Sequence, residues 1–171
     1  MTKGLVTIFG GSGFIGRYAA RELVKKGWRV RVACRRVNLA GEVRLAGAPG
    51  WVDIAQANIR DRASIERALE DADAVVNLVG VLTEKGKQTF ESTQAEGAAL
   101  LAEVAAEKGI TRFVQISAIG ADAESKSHYA RTKAEAEEAV RKAVPTATIL
   151  RPSVVFGPED EFFNKFAQMA R

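Results

Sequence analysis

Apolar positions in this 171-residue chain alternate between short solid runs and longer runs with helical spacing. Leu5 to Phe9 (LVTIF) is almost continuously apolar, as expected of a strand covered on both faces. A helical pattern follows, with Ile15, Ala19 and Leu23 on one stripe and Gly27 as the stop after Lys25 and Lys26. Arg29 to Cys34 predicts a second strand, and Val37 to Gly50 reads as irregular, broken by Gly41, Gly47, Pro49 and Gly50. Trp51 to Ala57 predicts a third strand. Ile65, Ala68, Leu69 and Ala72 mark a short amphipathic helix, and Ala74 to Val79 a buried fourth strand. Beyond a polar loop at Thr83–Lys87, a long helix is expected from Phe90 to Lys108. Gly97, Leu101, Val104 and Ala105 face inward on it, and Gly109 closes it. Arg112 to Ser117 is the fifth predicted strand. A loop through Gly120 and Ser127 leads to a helix from Tyr129 to Val144, stopped by Pro145. Thr148 to Leu150 is the sixth strand, and Glu161 to Arg171 begins another helix. Strands alternating with helices predict an α/β fold, a parallel sheet covered by helices, in one domain spanning 1–171.

Composition narrows the partners. The chain is 47% hydrophobic and 27% charged, enough material for a real core. Its 25 Lys and Arg against 21 Asp and Glu give +4, and the pI is near 9.4. That excess suits an anionic ligand and is too small and dispersed for nucleic acid. The single cysteine, Cys34, excludes an internal disulfide and fits a reducing, cytoplasmic setting. No signal peptide is read at the start. The longest apolar stretch, Ala74 to Leu82, is interrupted by Asn77 and too short to span a bilayer, so no transmembrane segment is expected and any membrane association is peripheral.

Chemistry gathers where the predicted strands end. Gly10, Gly13 and Gly16 follow the first strand at G-x-x-G-x-x-G spacing and open a helix, which is the context of a dinucleotide-binding turn. Gly10 allows the sharp turn, Gly13 the approach of a pyrophosphate, and Gly16 close packing of helix on sheet. At the end of the second strand, where an NAD site usually carries an acid, stand Cys34, Arg35 and Arg36. The two guanidiniums favour a 2′-phosphate, so NADP(H) is preferred with NAD(H) as the alternative. Asn58-Ile59 and Leu78-Val79-Gly80 close the third and fourth strands at the same edge, as flanks for adenine and ribose or as strand-end packing. Tyr129 and Lys133 lie four apart on one helical face. An ammonium there lowers a phenol's pKa and can hold ribose hydroxyls, making Tyr129 a candidate acid/base, with Ser117 as a nearby hydroxyl. His128 reads as an exposed loop residue, and Phe162, Phe163 and Phe166 as a helix face short of cover. No metal-ligand set is read.

GGSGFIG, ADAVVNLVG, YARTK and ILRPSVVFGP, in this order and spacing, resemble the extended and atypical short-chain dehydrogenase/reductases over essentially the whole chain. GGSGFIGRY and RPSVVFGPEDEFFNKFAQMA further resemble the NADPH-binding accessory subunits of respiratory complex I and their bacterial relatives. The resemblance implies a Rossmann sheet, doubly wound, ordered 3-2-1-4-5-6. It implies cofactor contacts at Gly10, Ser12, Gly13, Phe14, Ile15, Gly16, Arg35, Asn58, Ile59, Leu78, Val79, Gly80, Lys133, Pro152 and Ser153. It also implies a partner, respiratory complex I or another membrane-associated assembly, with the protein at the inner face of the membrane. Three features depart from the pattern. Ala118 occupies the place of the active hydroxyl, with Ser117 one position early, and Gln94 replaces an asparagine. The family pattern continues into a seventh strand and a C-terminal substrate lobe, so residues 1–171 are expected to be a Rossmann domain truncated before that lobe. Two functions stay open: a cofactor-binding structural subunit, or an NAD(P)-dependent oxidoreductase, epimerase or dehydratase using Tyr129 and Lys133. A redox sensor is a third.

Overall fold

The computed structural model describes residues 2–160 and 163–169. Six parallel strands, β1 (Leu5–Phe9), β2 (Arg29–Cys34), β3 (Val52–Gln56), β4 (Ala74–Asn77), β5 (Arg112–Ile116) and β6 (Thr148–Leu150), form one sheet in the order β3-β2-β1-β4-β5-β6. This is the Rossmann order that the resemblance implied. β1 lies at the centre with every residue buried, which is why it carries no exposed polar position. The edge strands β3 and β6 are the most exposed.

Alternate residues of the central strands feed two cores. Val6, Ile8, Val30 and Val32 pack with Ala20 of α1 (Phe14–Lys25) on one face. Phe9, Val75 and Phe113 pack on the other, against α2 (Arg62–Ala68), α3 (Glu96–Glu107) and α4 (His128–Ala143). On α3 the buried set includes Gly97, Leu101, Val104 and Ala105, the expected inner face.

Three details differ from the sequence reading, and the last helix agrees with it. On α1 the buried stripe is Gly16 and Ala20, while Ile15 and Ala19 are only half-buried. The reason is contact at the helix start: a methyl on Gly16 would lie 2.4 Å from Gly10 O and 2.5 Å from Gly11 Cα, so this face must turn inward. The Val37 to Gly50 stretch is not wholly irregular. It holds 3₁₀ turns at Val37–Leu39 and Gly41–Ala46, and the second buries Val43 where a crossover helix would lie. The long helix opens with a π-helical turn, Glu91–Ala95. The last helix, α5, is described at Phe163–Met169, with Phe163 and Phe166 exposed; Phe162 lies outside the described residues.

Distant polar groups finish the helices. The Arg31 guanidinium and Thr7 hydroxyl both donate to Ala68 O at 3.0 Å, placing a cation at the C-terminal end of α2. Asp160, nearly buried, accepts from Phe163 N at 2.6 Å and starts α5.

Replacing Gly16 by Ala should destabilise the fold by about 1–3 kcal/mol, because backbone rather than a flexible side chain must move. Gly120→Ala, with nothing within 4 Å of the added methyl, should stay within about 0.5 kcal/mol in the same urea unfolding experiment.

Candidate functional site

The cleft lies at the carboxyl edge of the sheet, where β1 and β4 part. β1 ends at Gly10, which takes φ +78° and donates its N–H to Ala33 O of β2. A side chain at Gly10 would meet the Leu78 carbonyl at 3.0–3.1 Å, so the turn is tight as well as left-handed. Gly13 is different: a methyl there meets only the Gly10 carbonyl, at 3.3 Å, and the space beyond is open. No side chain caps α1 at Gly13, so the first-turn N–H groups are left to an anion.

Around this turn is a cleft of about 240 Å³. Gly10, Ser12, Gly13, Arg35, Asn58, Ile59, Leu78, Val79 and Gly80 all line it, a convergence of four strand ends. Other expected cofactor positions do not line it. Gly16 is beneath the turn and Ile15 sits half-buried on α1, while Phe14 stacks edge-on with Tyr18 at 5.6 Å and abuts Gly157. Arg36 is exposed beside Arg35, and Pro152 and Ser153 border the β6 edge, Pro152 O accepting from Ile119 N at 3.0 Å. Arg60, Gln88 and Thr93 line the cleft although sequence reasoning passed over them. Arg60 immediately follows Asn58-Ile59, a cue in hindsight. Its guanidinium donates to the Lys87 carbonyl and ties the Thr83–Lys87 loop to the cleft wall.

The strand ends are shaped by buried amides. Asn77, which broke the apolar run, donates to Gln115 Oε1 at 2.8 Å across the β4–β5 pair and accepts from Val79 N at 3.1 Å. That second bond turns the chain away at Gly80. Asn58 Oδ1 accepts from Arg60 N at 3.2 Å, and Ser64 Oγ accepts from Asn58 N at 3.0 Å.

Basic charge collects on the β2 side. Arg35 and Arg36 are exposed and form no ion pair among the described residues. Cys34 is buried between them and Ser12. Burial pushes its thiol pKa up, against the opposing effect of the Ser12 side chain and the Arg36 N–H.

On α4, Lys133 is 5% exposed and its Nζ lies 5.8 Å from the Tyr129 ring centroid. Nζ reaches the Ile116 carbonyl at 3.4 Å and lies beside Gly80, at ordinary contact distance from where a methyl would stand. Burial lowers the Lys133 pKa to about 8, with Glu137 acting in the opposite direction. The phenol of Tyr129, edge-on to Phe90 at 5.6 Å, is pushed up by burial. This corrects the expectation that the neighbouring ammonium lowers it. Desolvation is the stronger effect, and the ammonium sits against the ring. Ser117 is 4% exposed and its hydroxyl is on the Glu137 side, helping to hold that carboxyl below its usual range without a hydrogen bond of normal geometry.

Opposite Lys133, the π turn buries Thr93 and Gln94. Thr93 Oγ1 and both amide atoms of Gln94 have no hydrogen-bond partner among the described residues. Gln94 Oε1 lies 3.5 Å and Lys133 Nζ 3.4 Å from where a Gly80 methyl would stand. Unsatisfied buried donors and acceptors beside an open glycine turn suit a polar ligand's hydroxyls and amide. Among the described residues no cluster of metal-ligating side chains occurs, and no helix is long and apolar enough to cross a membrane.

A parallel α/β sheet with a glycine-lined, anion-accepting cleft at its switch point defines a dinucleotide-binding protein. Residues 6–171 match the sequence profile of the NAD dependent epimerase/dehydratase family, and the chain belongs to that family. It is 38% identical over 169 residues to the mitochondrial NADH dehydrogenase (ubiquinone) 1 alpha subcomplex subunit 9 of Arabidopsis thaliana, covering 98% of this chain and 42% of that protein. It is 32% identical over 174 residues to a ceramide reductase of Caulobacter vibrioides, covering 99% of this chain and 52% of that one. The chain thus spans about half the length of these curated relatives. In structure it is similar to a UDP-glucuronic acid 4-epimerase of Bacillus cereus solved with NAD, with TM-score 0.76 and 20% identity over 97% of this chain and 63% of that one, a likeness of fold.

In the unfolded chain Lys133 titrates near its ordinary 10.5, and in the fold near 8. Between those values the unfolded state holds more protons, so the burial penalty is full below pH 8 and is relieved as pH rises to 10.5. The shift corresponds to about 3 kcal/mol. Lys133→Met should therefore raise stability at pH 7 and remove this rise. Urea unfolding of both proteins between pH 7 and 10 checks it, and parallel curves would contradict it.

Proposed function

We propose that this protein binds NADP(H) at the β1–β4 cleft and serves as a cofactor-stabilised accessory subunit of the respiratory complex I type. The observation that carries the cofactor part is the cleft itself: open space at Gly13, uncapped N–H groups at the start of α1, and Arg35 at the end of β2. Arg35 and Arg36 are the groups to hold a 2′-phosphate, since Cys34 stands where an NAD site would present a carboxylate. Asn58, Ile59 and Leu78 flank the adenosine half, and Lys133, with Gln94 and Thr93, faces the ribose of the nicotinamide half. The cofactor supplies hydride chemistry where a substrate is present; these residues bind and orient it.

Support for the accessory-subunit role comes from the NADH dehydrogenase subunits among the relatives. It comes also from the weak catalytic apparatus. Ala118 lacks a hydroxyl, the Ser117 hydroxyl is buried one position early, and Tyr129 is held above its usual pKa. Association with the membrane would then be peripheral, through the assembly. The second reading, an NAD(P)-dependent oxidoreductase or epimerase/dehydratase, rests on the intact Tyr129–Lys133 pair and on the reductase among the relatives.

Calorimetric titration with NADPH and NADH, followed by assays for turnover over carbonyl, sugar-nucleotide and quinone substrates, separates the two. Tight NADPH binding without turnover is the expected result. Arg35→Asp should weaken NADPH at least tenfold, about 1.4 kcal/mol, and leave NADH nearly unchanged; equal loss of both would refute the 2′-phosphate assignment. Tyr129→Phe should leave NADPH affinity within about twofold, because the ribose contact falls to Lys133. Turnover that vanishes in Tyr129→Phe would establish the enzyme reading instead.

A further inference from the structure

Part of the cleft wall comes from outside the sheet. Between β4 and the π turn the chain makes a short hairpin: Lys85 N donates to Gln88 O at 3.0 Å and Gln88 N to Lys85 O at 3.1 Å. Gly86 takes φ +57° at its tip, with nothing within 4 Å of an added methyl. Residues 82–87 are exposed, and a hairpin of one residue pair does not hold its place alone. Two sides hold it. On the helix side the Ser92 hydroxyl donates to Lys87 O at 3.1 Å, Ser92 N to Thr89 Oγ1 at 3.0 Å, and Phe90 N to Glu84 Oε1 at 2.8 Å. On the sheet side the Arg60 guanidinium reaches from the end of β3 to the same Lys87 carbonyl. Arg60 is fixed at its base, where its backbone N–H donates to Asn58 Oδ1 at 3.2 Å. Gln88, next after that carbonyl, lines the cleft together with Asn58, Ile59 and Arg60.

We propose that Arg60 latches the Lys85–Gln88 hairpin across the adenosine end of the cleft and thereby positions Gln88 against the adenine of the cofactor. The end of the cleft follows from the sheet. Asn58 and Arg60 leave β3, which neighbours β2 and its Arg35, whereas Lys133 stands at the end of β5, on the other side of β1. A carboxamide offers a donor and an acceptor side by side, and an adenine edge presents the matching pair. The bond that brings Gln88 there is charge-assisted, and a guanidinium at 60 can reach the carbonyl without leaving water. Methionine at 60 would keep the stem and lose every donor.

The adenine contact rests on the proposed NADP(H) reading, so one readout needs no cofactor. Lys85 and Lys87 are tryptic sites, and the scissile carbonyl after Lys87 is the one that Arg60 holds. In the free protein, Arg60→Met should speed cleavage after Lys85 and Lys87 about fivefold and leave cleavage elsewhere unchanged, because the opening is local. Arg60→Lys, which keeps a donor, should stay within about twofold of wild type. In stopped flow, NADPH release should be about fivefold faster in Arg60→Met and Gln88→Ala, with association within about twofold, since a cover over bound ligand acts on release. 2′,5′-ADP should lose affinity by the same factor and nicotinamide mononucleotide should lose none. Unchanged cleavage at Lys85 and Lys87 in Arg60→Met, or cleavage raised throughout the chain, would overturn the latch. Unchanged NADPH release in Gln88→Ala would overturn the adenine contact. A local rise in cleavage in a protein that binds neither NADPH nor 2′,5′-ADP would uphold the latch and overturn the cofactor reading.

Discussion

At the first crossover the start of α1 lies so close to the end of β1 that Gly16 has no room for a methyl beside the Gly10 carbonyl. Much else depends on that contact. It sets the rotation of α1 on the sheet, so that Gly16 and Ala20 rather than Ile15 and Ala19 meet the core. It brings the uncapped first turn of the helix to the mouth of the cleft. It also leaves Gly13 as the one position of the glycine triplet whose open side faces free space. A larger residue at 16 would push the helix outward and pull the N–H groups away from any anion bound there.

The two sides of the cleft are built on different physical terms. The β2 side is exposed and basic: Arg35 and Arg36 keep their solvation and form no ion pair among the described residues, so they are available to a doubly charged phosphate at little desolvation cost. The α4 side is dry. Lys133, Gln94, Thr93, Ser117 and Glu137 are all nearly buried, and the Gln94 amide and the Thr93 and Ser117 hydroxyls have no hydrogen-bond partner among the described residues. Burying so many polar groups is costly unless a ligand or a counter-charge satisfies them. Glu137 with Arg151 meets part of that need, and a polar ligand can meet the rest. The π turn at Glu91–Ala95 fits the same picture. It adds a residue to one helical turn and sends Thr93, Gln94 and Ala95 inward together.

Much of this was legible beforehand. The six strands, the parallel order implied by family resemblance, the inner face of α3 and the convergence of Gly10, Arg35, Asn58 and Gly80 on one cleft agree with the structure. What stayed hidden has a common cause. The 3₁₀ turn that buries Val43 carries no helical periodicity. A π turn has the same composition as an α turn. The raised pKa of Tyr129 follows from burial by Phe90, a partner 39 positions away whose approach no local spacing announces.

By itself, the sequence determined what local chemistry can encode: which runs form strands, where glycine is needed for a turn, and which end of the sheet would carry arginines. Hydrophobic periodicity and backbone freedom are properties of neighbouring residues, so they can be read along the chain. The tertiary structure alone decided the charge state and direction of the polar groups. It turned Ser117 to the Glu137 side, joined Glu137 to Arg151 and buried Lys133 against the Ile116 carbonyl. Those interactions depend on distance and on exclusion of water, and both are fixed only when helices and strands remote in sequence are packed together.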